Sequence, residues 1–410
     1  MSAPTARDVG RRVLDPAIRN RALTRLARAT LKARVNIWSP SGVSLGGAGL
    51  AIMCAELDGR FADEGWDVAA HELLAAGLDE VSDPARPLAL FSGTVGYAAA
   101  VWLASRDGTR YTSLLASLDA VLLPRMRAFA LAPPTGPASY DTVNGMAGWA
   151  GYLLSRGRSP EIDRVAHPVA DALAAVLRPD GRNRMSYRLD GAVRLDYGLA
   201  HGVAGPLAAL ALLEIHGGTG RPGTLEALRG AGRWLADQAT WRSGCLLWPA
   251  TVDLGPRGDP LARDPVENAG SWCHGSSGIA RAVYLAGVAT GSSELLEVAV
   301  TAIRTLCTHP PTLHSPNLCH GLAGHLAILL SFARETGDPR LKAAAADLTT
   351  RLAGGFRPGA LLGYTDVEGS GLEVDNPGLL RGAAGVAAVL LAAEPTASSP
   401  PRWARLFLLS

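Results

Sequence analysis

The sequence is poor in lysine and cysteine and nearly balanced in charge. Lys32 and Lys342 are its two lysines, and its 39 basic residues face 37 acidic ones for a formal net charge of +2. That charge gives no strong field for capturing nucleic acid or an anionic membrane. Five cysteines in 410 residues (Cys54, Cys245, Cys273, Cys307 and Cys319) are too sparse, and odd in number, for a disulfide scaffold. No Cys-x2-Cys pair signals a zinc finger. No run of about 18 apolar residues is free of charge or turn residues, so no membrane span is expected. The N-terminus shows no apolar core followed by a cleavage site, and the expected location is cytoplasmic, with any membrane association made through partners. What the chain does have is apolar content, 48% of residues, and 47 glycines. The first excludes disorder and the lack of a Gly-X-Y period excludes collagen. An Ala- and Leu-rich chain favours helix, yet glycine is a poor helix former, so this much glycine needs a fixed structural role.

Internal repetition supplies one. Gly-x-x-Gly followed by an apolar run occurs at Gly46/Gly49, Gly93/Gly96, Gly145/Gly148, Gly202/Gly205, Gly275/Gly278, Gly321/Gly324 and Gly382/Gly385, at intervals of 46 to 73 residues. Between these runs lie amphipathic stretches: 67–81, 111–129, 160–177, 224–239, 293–307 and 339–352. A helix that is apolar all round must be buried on all sides. Seven such helices are buried together as an inner ring inside the amphipathic ones. The expected fold is all-α, an α/α toroid of seven helical hairpins forming one closed domain over 1–410. An open solenoid of the same hairpins is the alternative. The arginine-rich amphipathic stretch 9–33 is expected to supply the outer helix of the first repeat. The paired glycines are expected to let neighbouring inner helices approach closely. Two segments break the pattern: residues 185–195 alternate about Asp190-Gly191 as a β-hairpin, and the Pro/Gly/Trp-rich stretch 241–270 lengthens the longest interval. Both precede repeat starts and are candidate lips of a site.

Aligning the repeats on their first glycine places Leu45, Ser92, Asn144, His201, His274, His320 and Arg381 immediately before it. One place earlier stand Ser44, Phe91, Val143, Ala200, Cys273, Cys319 and Leu380. Three of nine histidines and two of five cysteines thus share one layer. Thiolate and imidazole suit zinc, and a three-ligand site leaves the fourth position open. The competing reading is small buried cysteines beside helix-capping histidines. Cys54 and Cys307, in the bodies of helices, read as packing residues. A zinc carrying two thiolates is electron-rich, which favours activating an incoming thiol over activating water. His201, in the same layer without a cysteine beside it, is the candidate for proton transfer. Asp141, four residues before Gly145, either enters the mouth or closes an Asx turn.

At Ser271-Trp272-Cys273-His274-Gly275, Leu318-Cys319-His320-Gly321, Gly198-Leu199-Ala200-His201-Gly202 and Tyr140-Asp141, the sequence resembles the lanthionine synthetase C-like family, the cyclases of lanthipeptide biosynthesis. The resemblance runs through all seven repeats. It implies an α/α toroid in which Cys273, Cys319 and His320 hold Zn2+ and His201 and Asp141 act in acid/base roles. It implies that a peptide cysteine adds to dehydroalanine or dehydrobutyrine to give a thioether ring. The implied substrate is a dehydrated precursor peptide with a leader segment. A separate dehydratase, and a membrane transporter complex, are the implied partners.

Two positions depart from the family's bacterial pattern. Ala269 stands where an arginine is common, four residues before the first zinc cysteine, and His274 stands where tyrosine occurs. His274 and Arg381 are therefore further candidates for the catalytic site, Arg381 as a ligand of the substrate or enolate oxygen. The other reading of Arg381 is a surface salt bridge at a helix start. Two other functions fit the same fold: addition of glutathione or another thiol to a dehydro or prenyl acceptor, and a non-catalytic zinc-stabilised scaffold. The acidic stretch 366–375, with Glu368 and Glu373, is either a contact for a basic leader or a solvated loop.

Overall fold

The computed structural model describes residues 2–30, 37–218, 220–256, 258–261, 269–367, 371–394 and 399–410. The chain divides into two compact units. One comprises Met1–Pro87, Phe91–Leu115 and Leu313–Ala404; the other comprises Leu88–Leu90, Ala116–Thr312 and Arg405–Ser410.

Both units are built from two kinds of helix. Two of the polar-faced helices start on a side-chain cap followed by proline: the Ser159 hydroxyl accepts the Ile162 N–H before helix Pro160–Leu177, and Asp338 accepts the Arg340 N–H before helix Pro339–Gly354. Proline follows each cap at the first helical position, where its missing N–H costs nothing. These helices bury one stripe, such as Ile162, Val165, Val169 and Leu173. The helices after the paired glycines are buried almost throughout. All ten residues of helix Ala383–Ala392 are buried, as are the first twelve of helix Ser276–Thr290.

In the first unit, buried helix Gly47–Arg60 packs against buried helices Thr94–Ala104 and Ala383–Ala392, and Ala383–Ala392 packs against Leu322–Thr336. Amphipathic helices Trp66–Ala75 and Pro339–Gly354 cover Gly47–Arg60 and Leu322–Thr336. The N-terminal stretch is two helices, Ser2–Leu14 and Pro16–Thr30, because Asp15 caps the second through its side chain and Pro16 opens it. Helix Ser2–Leu14 packs chiefly on Ala383–Ala392. The N-terminus therefore serves the seventh repeat, whereas the sequence alone assigned it to the first, which takes Trp66–Ala75 instead. Ala33 lies outside the described residues.

In the second unit, buried helices Ala204–Gly217 and Ser276–Thr290 pack on each other, with amphipathic helices Pro160–Leu177, Thr224–Ala236 and Ser293–Thr308 around them. The third repeat begins with a short 3-10 turn, Met146–Trp149, continued by helix Ala150–Ser155. The hairpin expected at 185–195 is present as strands Tyr187–Leu189 and Ala192–Asp196, turning at Asp190 (φ 51°) and Gly191 (φ 80°). The 241–270 stretch contributes strand Thr251–Asp253, which pairs with Ala192–Asp196 to complete a three-stranded sheet. The two insertions thus share one sheet, whose middle strand ends at Asp196, while Thr240–Arg242 and Cys245–Leu247 pair as a separate hairpin. Among the described residues, no helix is long and apolar enough to cross a membrane.

Candidate functional site

The repeat starts are assembled by backbone geometry. A Cβ on the first glycine would meet the carbonyl oxygen six residues earlier: Asp196 O at 2.4 Å from Gly202, and Ser315 O at 2.3 Å from Gly321. The second glycine repeats this, with Trp272 O at 2.2 Å from Gly278 and Leu379 O at 2.0 Å from Gly385. The expected role of the glycines, contact between neighbours, holds in part. A leucine Cβ of the adjacent repeat lies at 3.3 Å from each of Gly278 and Gly385, but the tighter contact is the chain's own turn.

Backbone hydrogen bonds then link one repeat start to the next. In the second unit, Thr142 N donates to Ala200 O and Ala200 N to Cys273 O, each at 3.0 Å. In the first unit, Cys319 N donates to Leu380 O, Leu380 N to Ser44 O, and Ser44 N to Phe91 O. Within each unit, successive repeat starts are bonded at the aligned position or at the residue just before it.

His201 and His274 belong to the second unit, and each has a carboxylate on Nδ1. Asp141 Oδ2 lies 2.8 Å from His201 Nδ1, and Asp196 Oδ2 lies 3.2 Å from His274 Nδ1. The two rings are stacked, centroids 5.9 Å apart and planes 27° from parallel. Asp141 is 2% exposed, and its other oxygen accepts the Asn144 and Gly145 N–H groups at 2.6 and 3.1 Å. The carboxylate of Asp141 thus closes the turn with one oxygen and lies against His201 Nδ1 with the other. Burial lowers the proton affinity of His274, but the hydrogen bond and charge of Asp196, with the charge of Cys273, raise its pKa to about 9. Asp196 is a site residue that sequence reasoning missed. It sits at a strand end, in no aligned position, and no local motif marks it. Ala269 is buried, and its carbonyl accepts the Ser277 N–H.

In the first unit His320 is held by an amide instead. Asn317 Oδ1 accepts the His320 N–H at 2.9 Å, and Asn317 Nδ2 lies 3.0 Å from His320 Nε2. Asn317 Nδ2 also donates to Asp366 Oδ1 at 2.7 Å, and the Ser315 hydroxyl donates to the same oxygen. Ser315, Asn317 and Asp366 are all buried, so this network is closed from water. The reading of 366–375 as a solvated acidic loop holds for Glu373, which is exposed, and not for its two ends. Asp366 is interior, and Asp375 is 9% exposed and pairs with Arg25 at 2.9 Å. Glu368 lies outside the described residues. Arg381 is half-buried immediately before Gly382.

Cys273, Cys319 and His320 form the group of metal-ligating side chains among the described residues, with their donor atoms all within 4.8 Å of one another. Cys273 is buried and the other two are half-buried. Two sulfurs and an imidazole nitrogen are a soft to borderline donor set, which fits zinc better than magnesium or calcium.

Buried glycine-led helices sheathed by amphipathic ones, with cysteine and histidine donors at their starts, define a helical-hairpin protein whose Cys273, Cys319 and His320 could hold a metal ion. Three comparisons place it. A solved structure titled nisin cyclase matches at a TM-score of 0.75 and 20% identity, covering 95% of this chain and 97% of that one. That likeness shows the fold, an α/α toroid. Unsaturated glucuronyl hydrolase from Bacillus sp. GL1 matches at a TM-score of 0.50 and 12% identity, covering 87% and 98%. The nisin biosynthesis protein NisC of Lactococcus lactis subsp. lactis is 25% identical over 266 residues, 60% of this chain; the match spans 62% of the relative's length. The model of the lanthionine synthetase C-like family matches residues 37–408, and the chain belongs to that family.

Proposed function

We propose that this chain is a zinc-dependent lanthipeptide cyclase that adds peptide cysteine thiols to dehydroalanine or dehydrobutyrine, giving (methyl)lanthionine rings. The observation that carries the reading is the Cys273, Cys319 and His320 donor group in a chain of this family. When bound there, zinc supplies an open position for a cysteine sulfur and lowers the pKa of its thiol.

The chain's own residues then move the proton and hold the acceptor. Asp141 keeps the Nδ1 side of His201 occupied, so Nε2 is the nitrogen that faces the reaction. In the overall step the sulfur bonds to the β carbon and the C=C π pair passes to the enolate. The thiol proton, relayed through His201, ends on the α carbon. His274 and Arg381 complete the catalytic set, Arg381 as the cation for the enolate oxygen that the arginine absent at Ala269 would otherwise supply. The substrate is a precursor peptide already dehydrated by a separate enzyme.

The test is thiol counting. Purified protein is incubated with a synthetic peptide containing one dehydroalanine and one cysteine, and free thiol and peptide mass are followed. The expected result is loss of thiol at unchanged mass, abolished by Cys273→Ala. No loss with wild-type protein overturns the cyclase reading in favour of a scaffold. A mass gain equal to glutathione, when glutathione is supplied, reassigns the acceptor chemistry.

A further inference from the structure

We infer that Asp196 is a positioning residue of the site. It holds His274 by Nδ1 so that Nε2 is the nitrogen presented to substrate, matching what Asp141 does for His201. The inference rests on the cyclase reading only for what His274 then does; the positioning stands on geometry. Asp196 Oδ2 lies 3.2 Å from His274 Nδ1, and Asp196 Oδ1 is fixed separately by the Gly198 N–H at 2.7 Å. The carboxylate is 9% exposed while the imidazole is 42% exposed, so the acid is anchored inside and the ring reaches outward. Strand Ala192–Asp196, paired on both edges, sets the position of Asp196.

The space around the ring is shaped to this pairing. Gly198 lies against His274: a Cβ there would come 2.4 Å from Cys273 O, 2.9 Å from His274 Cα and 3.0 Å from His274 Nδ1. A side chain at 198 would press on the backbone of Cys273 and His274 and on the ring nitrogen that meets Asp196. The glycine that yields its N–H to Asp196 therefore also makes room for the histidine that Asp196 holds. The backbone oxygen of Asp196 also accepts the Val203 N–H at 3.0 Å, in the turn that carries His201. One residue thus sets both imidazoles of the stacked pair, His274 through its carboxylate and His201 through its main chain.

Two readouts test this. The first is independent of activity: 15N-labelled histidine spectra of the full chain are expected to show His274 protonated at Nδ1, and Asp196→Asn is expected to shift that resonance while leaving His201 protonated as before. A His274 with its proton on Nε2 alone, or a spectrum indifferent to Asp196→Asn, overturns the inference whether or not the protein is a cyclase. The second is a double-mutant cycle on the dehydroalanine–cysteine peptide. Asp196→Asn is expected to lower kcat about 10- to 100-fold with KM within about twofold, and to add nothing in a His274→Ala background. An equal further loss in that background assigns Asp196 to general folding and overturns the positioning role. If wild-type protein consumes no thiol, the cyclase reading fails and the spectra alone decide the inference.

Discussion

His201 and His320 occupy the same place in two repeats, immediately before the first glycine, yet their surroundings differ. His201 has a buried carboxylate directly on Nδ1, while His320 is held by Asn317, a neutral amide that is itself held by Asp366. Asp141 holds the His201 ring by Nδ1, which leaves Nε2 on the opposite edge. The Asn317 amide instead meets His320 at Nε2, which leaves Nδ1 on the opposite edge. One backbone frame, repeated, thus carries two histidines held by opposite ring nitrogens, and the side chain that reaches each ring decides which.

The widest separation is expected when the two sets are crossed. Cys319→Ala should abolish metal content and thiol consumption together. His201→Ala should keep the metal while turnover falls about 10²- to 10⁴-fold. Metal analysis beside thiol counting reads both, and loss of metal in His201→Ala would break the comparison.

The shared frame makes a second, smaller prediction. Gly202→Ala and Gly321→Ala each force a Cβ against a carbonyl oxygen at 2.4 and 2.3 Å. Each should cost about 2–4 kcal/mol in denaturant unfolding. A cost at only one would show that the two repeat starts are built differently. Gly230, inside helix Thr224–Ala236 with nothing within 4 Å of a Cβ, is the control; Gly230→Ala should stabilise by about 0.5–1 kcal/mol.

The smallest effect lies toward the C-terminal end of buried helix Gly47–Arg60, away from its glycine start. Burial raises the Glu56 carboxyl to about 7, against a partial lowering by Arg402. Because the folded value lies above the unfolded one, this group's contribution is fully present below about pH 4.5 and is lost as pH rises through 7. Glu56→Gln should therefore gain on the order of 1 kcal/mol relative to wild type between pH 5 and pH 8. Flat relative stability over that range would contradict the assignment.

Much of this was legible beforehand where the information is local. The hairpin turns at Asp190-Gly191 as its turn residues require, and helix Pro160–Leu177 has the expected limits, opening on Ser159 and Pro160. The break at Pro16 divides one expected helix into two, since proline and an Asp cap outweigh a continuous apolar stripe. Asp196, Asn317 and Asp366 were not legible as site residues. Asp366 follows His320 by 46 residues, and its acidic neighbourhood in sequence reads as solvent-facing until the fold buries it.

By itself the sequence determined the helical class, the seven glycine-led starts, and the place of His201, Cys273 and His274 at the starts of one unit and of Cys319, His320 and Arg381 at those of the other. These follow from periodicity and from a backbone turn that only glycine tolerates, both properties of short segments. Tertiary structure alone decided which helix the N-terminus covers and which partner each histidine receives. Those outcomes depend on carboxylates and amides brought from distant strands and turns. A buried polar group must find a partner wherever the fold supplies one, and chain order does not encode that distance.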